Sequence, residues 1–506
     1  MVIPDERVAG FFAIGMAQQL GKPVAIVCTS GTALLNLAPA VCEAYYQQVP
    51  LLVLTADRPP EYIGIGENQA IVQTDIYRNY IKASFTLPES PDEAALLVYD
   101  AISKCTIPYA GPVHINIPLR EPLYEQGDNL LSPNILSCDV PLLLYIPIII
   151  SPSARNMLIC GMNTQEADIE GGLGGFIKTL AQRHDFTLIA EPLSNIAVPD
   201  AITNIDAVIT MIEEEDYQQY APTTILTIGK QIVSKRLRQF LRKVQPDFHY
   251  HIATDRGEWN GLGAKNFKHI NYPPIQILEA LTKQAITESS FRNDWLGINK
   301  RANQKTIEYG TTAPFSDWGV FQQLVESYPL SANIQYGNSS PIRYAGFFQH
   351  HPSISINANR GTSGIDGCVS TAAGAALINH NLTIAVVGDV SFLYDSNALW
   401  NDALSPNLRI IVINNGGGNI FRLIEEPNRI QNFETFFETK HILTASHLAD
   451  MYQIPYYFCH CAEDLQTELI TFYKPQIANR PAILEIKTDG ITSEQVYKAY
   501  FKHLLT

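Results

Sequence analysis

The chain has 506 residues, room for several domains and, at ordinary domain sizes, for three. Its 46% hydrophobic and 17% charged residues describe a soluble globular chain with ample core. A formal charge of −15 argues against nucleic acid or an anionic membrane as partner, yet leaves room for anionic small substrates, because a few local arginines can override the average field.

Charges begin at Asp5, so no secretory leader is visible. The longest apolar run, 140–150, is too short to span a bilayer and is broken by Pro141 and Pro147, which makes the cytoplasm the expected compartment. The first region, to about Glu125, alternates helix and strand. Val8, Phe11, Phe12, Met16 and Leu20 recur at helical spacing and predict a helix over 6–20. Residues 24–28 form a continuous apolar strand, as expected when both faces of a parallel sheet are covered, and end in the small-residue turn Thr29-Ser30-Gly31-Thr32. Strands are also predicted at 50–55, ending in Ala56-Asp57-Arg58-Pro59-Pro60, and at 113–117. A proline-rich stretch, 133–152, reads as a linker.

The second region repeats the alternation, with short strands at 155–161, 186–190, 224–229 and 249–253. Its Gly171-Gly172-Leu173-Gly174-Gly175 invites comparison with a phosphate loop, but it follows an acidic stretch and not a strand, so it reads as a flexible lead into the next helix. A polar helical stretch, 291–309, leads to a third region that begins near Ser316. The expected fold class is α/β, with three doubly wound, mostly parallel-sheet domains at 1–135, 150–290 and 315–506.

In the third region the apolar strand 383–387 delivers Asp389 to its carboxyl end, and the strand 410–413 delivers Asn414-Asn415 and Gly416-Gly417-Gly418 to its own. In a parallel sheet those ends share the edge where ligands of open α/β folds bind. Asp389 offers a hard anionic oxygen, Asn415 a neutral amide oxygen, and a glycine such as Gly417 a backbone carbonyl. That set suits Mg²⁺ holding a diphosphate, because the ion keeps few protein ligands and takes the rest from phosphate and water. Two ordinary strand-to-loop turns would look similar.

Cys28, Cys42, Cys105, Cys138, Cys160 and Cys368 sit singly, mostly among apolar residues, and read as reduced core thiols. Cys459-His460-Cys461 looks like a ligand cluster, but it ends the aromatic strand-like run Tyr456-Tyr457-Phe458. Two thiols without further ligands nearby argue against a metal there.

The Gly-Asp start and Asn-Asn end of 388–415, one strand-helix-strand unit apart, resemble the signature of thiamine-diphosphate (ThDP) enzymes. Asp5-Glu6-Arg7, Thr29-Ser30-Gly31-Thr32-Ala33, Leu54 to Glu61, Asn68-Gln69-Ala70-Ile71, Lys235-Arg236, Gly337-Asn338-Ser339, Asn359 to Gly367 and Asn414 to Phe421 follow in order. Together they resemble the MenD family, synthases of 2-succinyl-5-enolpyruvyl-6-hydroxy-3-cyclohexene-1-carboxylate (SEPHCHC) in menaquinone biosynthesis.

This resemblance implies a pyrimidine-binding first domain, a central Rossmann-like domain and a diphosphate-binding last domain, the first and last meeting across the interface of a homodimer or a dimer of dimers. It implies ThDP with Mg²⁺ or Mn²⁺ as cofactors and 2-oxoglutarate and isochorismate as substrates. Glu6 matches the catalytic glutamate that hydrogen-bonds the cofactor's pyrimidine ring; as a bare residue at a helix start it reads more simply as a dipole partner. Ile365 matches the apolar residue that props the cofactor in its bent shape, and alone could be a core isoleucine. Gly388, Asp389, Ser391, Asn415 and Gly417 fall on cofactor positions, with Asp389, Asn415 and Gly417 on the metal. Arg58, Gln69, Lys235, Arg236, Ser339, Arg343 and Arg360 fall on substrate positions. Arginine's planar fork suits the paired carboxylates of both substrates, although any one of these cations alone could be a solvated surface residue.

Two departures stand out. The 389–415 segment is slightly compressed, and Gly416 stands where Asn or Asp often follows the amide pair. The chain also starts five residues before Glu6, where family members first have a strand, a Ser-Pro-Gly-Ser-Arg loop and a helix. The expectation is that Met1 is an internal methionine of a longer natural chain. Two rival readings remain, an acetolactate-synthase-like ThDP carboligase acting on monoanionic substrates and an inactive ThDP-fold scaffold.

Overall fold

Runs of apolar residues build the strands of three sheets in this chain. The structure, a computed structural model of one chain, describes residues 1–120, 153–162, 172–254, 261–423, 431–475 and 479–506. The stretch read as a linker lies outside the described residues, as does Cys138. The first sheet contains β1 (Val24–Cys28), β2 (Leu51–Asp57), β3 (Ala83–Thr86) and β4 (Val113–Pro118) in the order β1-β2-β4-β3. The second, ordered β6-β5-β7-β8-β9, takes β5 (Asn156–Cys160), β6 (Phe186–Ala190), β7 (Thr224–Ile228), β8 (Phe248–Ile252) and β9 (Asn266–Ile270). The third contains β10 (Asn333–Tyr336), β11 (Ser355–Ala358), β12 (Thr383–Gly388), β13 (Leu408–Asn414), β14 (Tyr456–Cys459) and β15 (Ala482–Lys487), ordered β11-β10-β12-β13-β15-β14. The pairings among these strands are parallel throughout, so the expected α/β class is the one that forms.

The third sheet positions the site. From β10 the chain moves outward to β11, then returns past β10 to place β12 on its other side. The loops leaving β10 and β12 therefore diverge and open a crevice at the carboxyl edge, the place where doubly wound sheets take ligands. All seven residues of β13, next to β12, are buried.

The predicted first helix forms as Glu6–Leu20, capped by Asp5, whose side chain accepts the Val8 N–H at 3.1 Å, and closed by Gly21 at φ 62°. It packs on the Cys368–Ile378 helix of the third region, where Phe12 joins a core with Val369, Ala372, Ala373 and Ala376. The glycine run at 171–175 behaves differently from the expectation of a lead-in. Gly172 is the N-cap of a helix, Leu173–Ala181, and Gly174 and Gly175 lie inside it. The expectation that the strand at 24–28 is covered on both faces fails: β1 lies at an edge of its sheet, with Ala25 and Val27 exposed. Among the described residues no helix is long and apolar enough to cross a membrane.

Candidate active site

β12 and β13 are paired with Gly388 opposite Ile413, so Asp389 and Asn415 leave the sheet side by side at its carboxyl edge. They line a cavity of about 390 Å³ together with Ser339, Ile365, Gly388, Ser391 and Gly417. Every residue expected to hold the cofactor on the third region thus lines one cavity. Ser391 also donates its hydroxyl to the Ile365 carbonyl at 3.0 Å, tying the isoleucine's backbone to the Asp389 helix.

Asp389 is held by backbone donors. Its Oδ1 accepts the Val390 N–H at 2.7 Å, and its Oδ2 accepts those of Gly416 and Gly417 at 2.8 and 3.0 Å. Gly416 has φ 85°, and at Gly417 a Cβ would stand 2.6 Å from the Glu438 carbonyl oxygen. The first position needs a left-handed backbone, which Asn and Asp tolerate best after glycine; the second needs the absence of a side chain. Gly416 therefore keeps the loop geometry that an Asn or Asp would support.

Asp317 was not singled out by its sequence, yet it decides what Asn415 presents. The Asn415 amide donates Nδ2–H to Asp317 Oδ2 at 2.8 Å, while Thr488 donates to Asp317 Oδ1 at 2.6 Å. Burial pushes the Asp317 carboxyl up, and these donors oppose the shift. With its nitrogen so engaged, Asn415 turns its oxygen the other way, and that buried Oδ1 has no hydrogen-bond partner among the described residues. His441 was also missed. Its Nδ1 accepts the Leu443 N–H at 3.1 Å, and its Nε2 stands 3.4 Å from Asp389 Oδ2.

Lys235, Arg236 and Arg343 line a second cavity of about 700 Å³, with Glu191, Asp206 and Tyr497; Ile420 lines both cavities, so the two adjoin. Lys235 and Arg236 open the Lys235–Val244 helix, whose cap Ser234 accepts the Leu237 N–H at 2.9 Å. The Arg236 guanidinium lies 4.2 Å from the centre of the Phe501 ring. Arg343 donates to the carbonyl of Ser339, a non-glycine residue at φ 73°. Arg360 is buried and donates NH1–H to Asn338 Oδ1 at 3.1 Å, while its Nε has no partner among the described residues. Burial, with Arg343 nearby, pulls Arg360 down to about 10, so it stays cationic at neutral pH. Arg360 lines neither cavity, whereas Arg343, partly buried, lines the second.

Glu6, Arg58 and Gln69 line neither cavity. They belong to the carboxyl edge of the first sheet. Glu6 is close enough to Cys28, the last residue of β1, to help burial raise that thiol to about 11. Arg58 follows β2 and donates Nε–H to the Asn68 carbonyl at 3.2 Å, and exposed Gln69 passes close to Gly31. In one chain, then, Glu6, Arg58 and Gln69 at the first sheet are separate from the lined cavity on the third.

A fixed carboxylate, an unpaired amide oxygen and Gly388, with nothing within 4 Å of where a Cβ would stand, are groups that suit a hard cation and a diphosphate. Among the described residues no three His, Cys, Asp or Glu side chains gather as an alternative metal cluster. These residues fit ThDP, and the fold and site define the class: a thiamine-diphosphate enzyme. Residues 1–78 match the family model described as the N-terminal TPP binding domain of thiamine pyrophosphate enzymes. The chain is 41% identical to the 2-succinyl-5-enolpyruvyl-6-hydroxy-3-cyclohexene-1-carboxylate synthase of Flavobacterium psychrophilum, over 99% of this chain and 91% of that protein. Synthases of the same name from Flavobacterium johnsoniae and Cytophaga hutchinsonii are 39% and 34% identical, again over 99% of this chain and 91% of each relative. The chain belongs to this synthase family.

Proposed function

We propose that the chain is a transferase that decarboxylates 2-oxoglutarate and adds the remaining succinyl unit to isochorismate, giving SEPHCHC for menaquinone biosynthesis in the cytoplasm. ThDP, when bound, supplies the electron sink that lets a 2-oxoacid lose carbon dioxide and its carbonyl carbon act as a nucleophile. The chain's residues bind, orient and move protons around that group. Asp389 Oδ, the free Asn415 Oδ1 and the Gly417 carbonyl are the candidates to hold Mg²⁺ or Mn²⁺, with Gly388 and Ser391 beside the diphosphate and Ile365 under the bend of the cofactor. Glu6, from a partner protomer of a homodimer, holds a proton at the pyrimidine ring. Lys235, Arg236, Arg343 and Arg360, with Ser339, Arg58 and Gln69, hold the carboxylates of the two dianionic substrates. In a site closed from water, such fixed cations are worth far more than in solvent.

The observation that carries this proposal is the adjacency of the two cavities. The one holding Asp389 and the unpartnered Asn415 oxygen shares a wall with the one holding Lys235, Arg236 and Arg343. An acetolactate-synthase-like carboligase has no use for that many cations. The test is product formation from 2-oxoglutarate and isochorismate with ThDP and Mg²⁺, against pyruvate in place of 2-oxoglutarate. Turnover with 2-oxoglutarate is expected; a preference for pyruvate, or no turnover with either, rejects the assignment.

A further inference from the structure

Glu43 lies on the Ala38–Gln47 helix of the first region and is 1% exposed. A buried carboxylate costs stability unless its oxygens are well paired, and these are. Glu43 Oε1 accepts the Gly361 N–H at 2.7 Å, while Oε2 accepts the Thr362 N–H at 2.7 Å and the Thr362 hydroxyl at 2.8 Å. All three donors belong to the loop between β11 and the Cys368–Ile378 helix, some 318 residues away in sequence. Arg360 precedes the clamped pair directly, and Ile365 follows it by three residues.

The clamp is as close as a backbone allows. A Cβ at Gly361 would stand 2.4 Å from the Glu43 carbonyl oxygen and 2.8 Å from the Gln47 nitrogen. Neighbouring side chains fix the same loop, with Gln47 Nε2 donating to the Ala358 carbonyl at 3.1 Å and Gln231 Nε2 to the Gly361 carbonyl at 2.8 Å. On the cavity side, Asn338 Nδ2 donates to the Asn359 and Gly364 carbonyls at 2.5 and 2.6 Å. The loop is thus pinned from both sides, and Glu43 is the charged pin.

We propose that Glu43 is a positioning residue: by gripping residues 361 and 362 from the first region, it sets where Ile365 stands against the cavity and so sets the affinity for ThDP. This inference rests on ThDP being the cofactor. Glu43 touches neither cofactor nor substrate, and it acts through the loop alone.

The experiment is titration of the full chain with ThDP in saturating Mg²⁺, read by tryptophan fluorescence and calorimetry, alongside melting temperature. Glu43→Gln keeps the shape but turns an amide NH₂ toward backbone donors, so the ThDP Kd is expected to rise at least about tenfold. Thr362→Val removes one of the three contacts, with an expected rise of about threefold, and it keeps the test open should Glu43→Gln not fold. Val41→Ala, which hollows the core under the same helix, is expected to lower the melting temperature while leaving Kd within about twofold. A wild-type chain that does not bind ThDP overturns the cofactor assignment and this proposal with it. Wild-type binding with both loop variants unchanged, or shifted no further than Val41→Ala, overturns the positioning role alone.

Discussion

An amide side chain has two nearly identical ends, and Asn415 is useful to a cation only with one of them facing it. Asp317 makes that choice from 98 residues away. Asp317→Asn puts a second amide there, which can offer either an oxygen or a nitrogen, so Asn415 is no longer held one way round. The expected outcome is a loss of about 10- to 100-fold in Mg²⁺ affinity in the presence of ThDP, checked by metal titration, with the melting temperature less affected. Glu6→Gln is a different kind of change, since glutamine cannot take up the proton that the carboxylate holds. It is expected to lower kcat by about 10²- to 10⁴-fold while ThDP still binds, as steady-state rates and a binding titration would show together. Asp389 and Asn415 were legible because each closes a strand inside one short motif. Asp317 and Glu43 were not, because their meaning lies in contacts with distant segments that no local pattern records.

Strands were legible in the same unequal way. β2, β12 and β13 are continuous apolar runs, so their burial on both faces shows in composition alone, whereas β1 reads the same way in sequence but lies at a sheet edge with Ala25 and Val27 exposed. β10 and β11 were missed because their buried positions include Asn333, Gln335 and Asn357, which satisfy one another: Asn357 donates to Asn333 Oδ1 at 3.0 Å. Helix packing is set by absences. A Cβ at Gly15 would stand 1.9 Å from the Thr371 carbonyl oxygen, and one at Gly374 would stand 1.9 Å from that of Phe12. Gly374→Ala must push the Glu6–Leu20 and Cys368–Ile378 helices apart, and a destabilisation of about 1–3 kcal/mol is expected in urea unfolding. The Cys368–Ile378 helix is also tied to the segment after Asp389, because Asp395 accepts the Ser370 N–H at 2.7 Å and its hydroxyl at 2.6 Å. Burial raises Asp395 to about 7, against those hydrogen bonds. A carboxyl raised in the fold contributes stability that is complete below its ordinary value near 3.8 and is lost as pH climbs to about 7. Asp395→Asn can donate to the serine hydroxyl and accept its N–H without a charge. It is therefore expected to flatten the decline in stability between pH 4 and 7, a slope bounded by about 1.4 kcal/mol per pH unit, in urea midpoints taken across that range.

At the scale of the molecule, the separation of Glu6 from the cavity poses the question of which chain serves which. Glu6 is absent from the lining of the cavity that holds Asp389 and Asn415, and the third region exposes Trp400, Phe436 and Ile442, each more than half accessible. An exposed apolar set on the region that carries the cavity is what a partner chain would cover. In the homodimer proposed above, the glutamate of one protomer completes the cavity of the other. Two inactive variants separate this from a site completed within one chain. Glu6→Gln keeps the cavity but lacks the proton holder, whereas Asp389→Asn keeps the proton holder but lacks the charged ligand. When the two are co-expressed in equal amounts, half of the dimers are mixed. Each mixed dimer then has one site with both lesions and one with neither, so about a quarter of wild-type turnover is expected to return. If each site is built from a single chain, every site in every dimer carries a lesion and mixing restores nothing. Recovery that depends on the ratio of the two chains, with its maximum at equality, is the signature of sites shared across the interface.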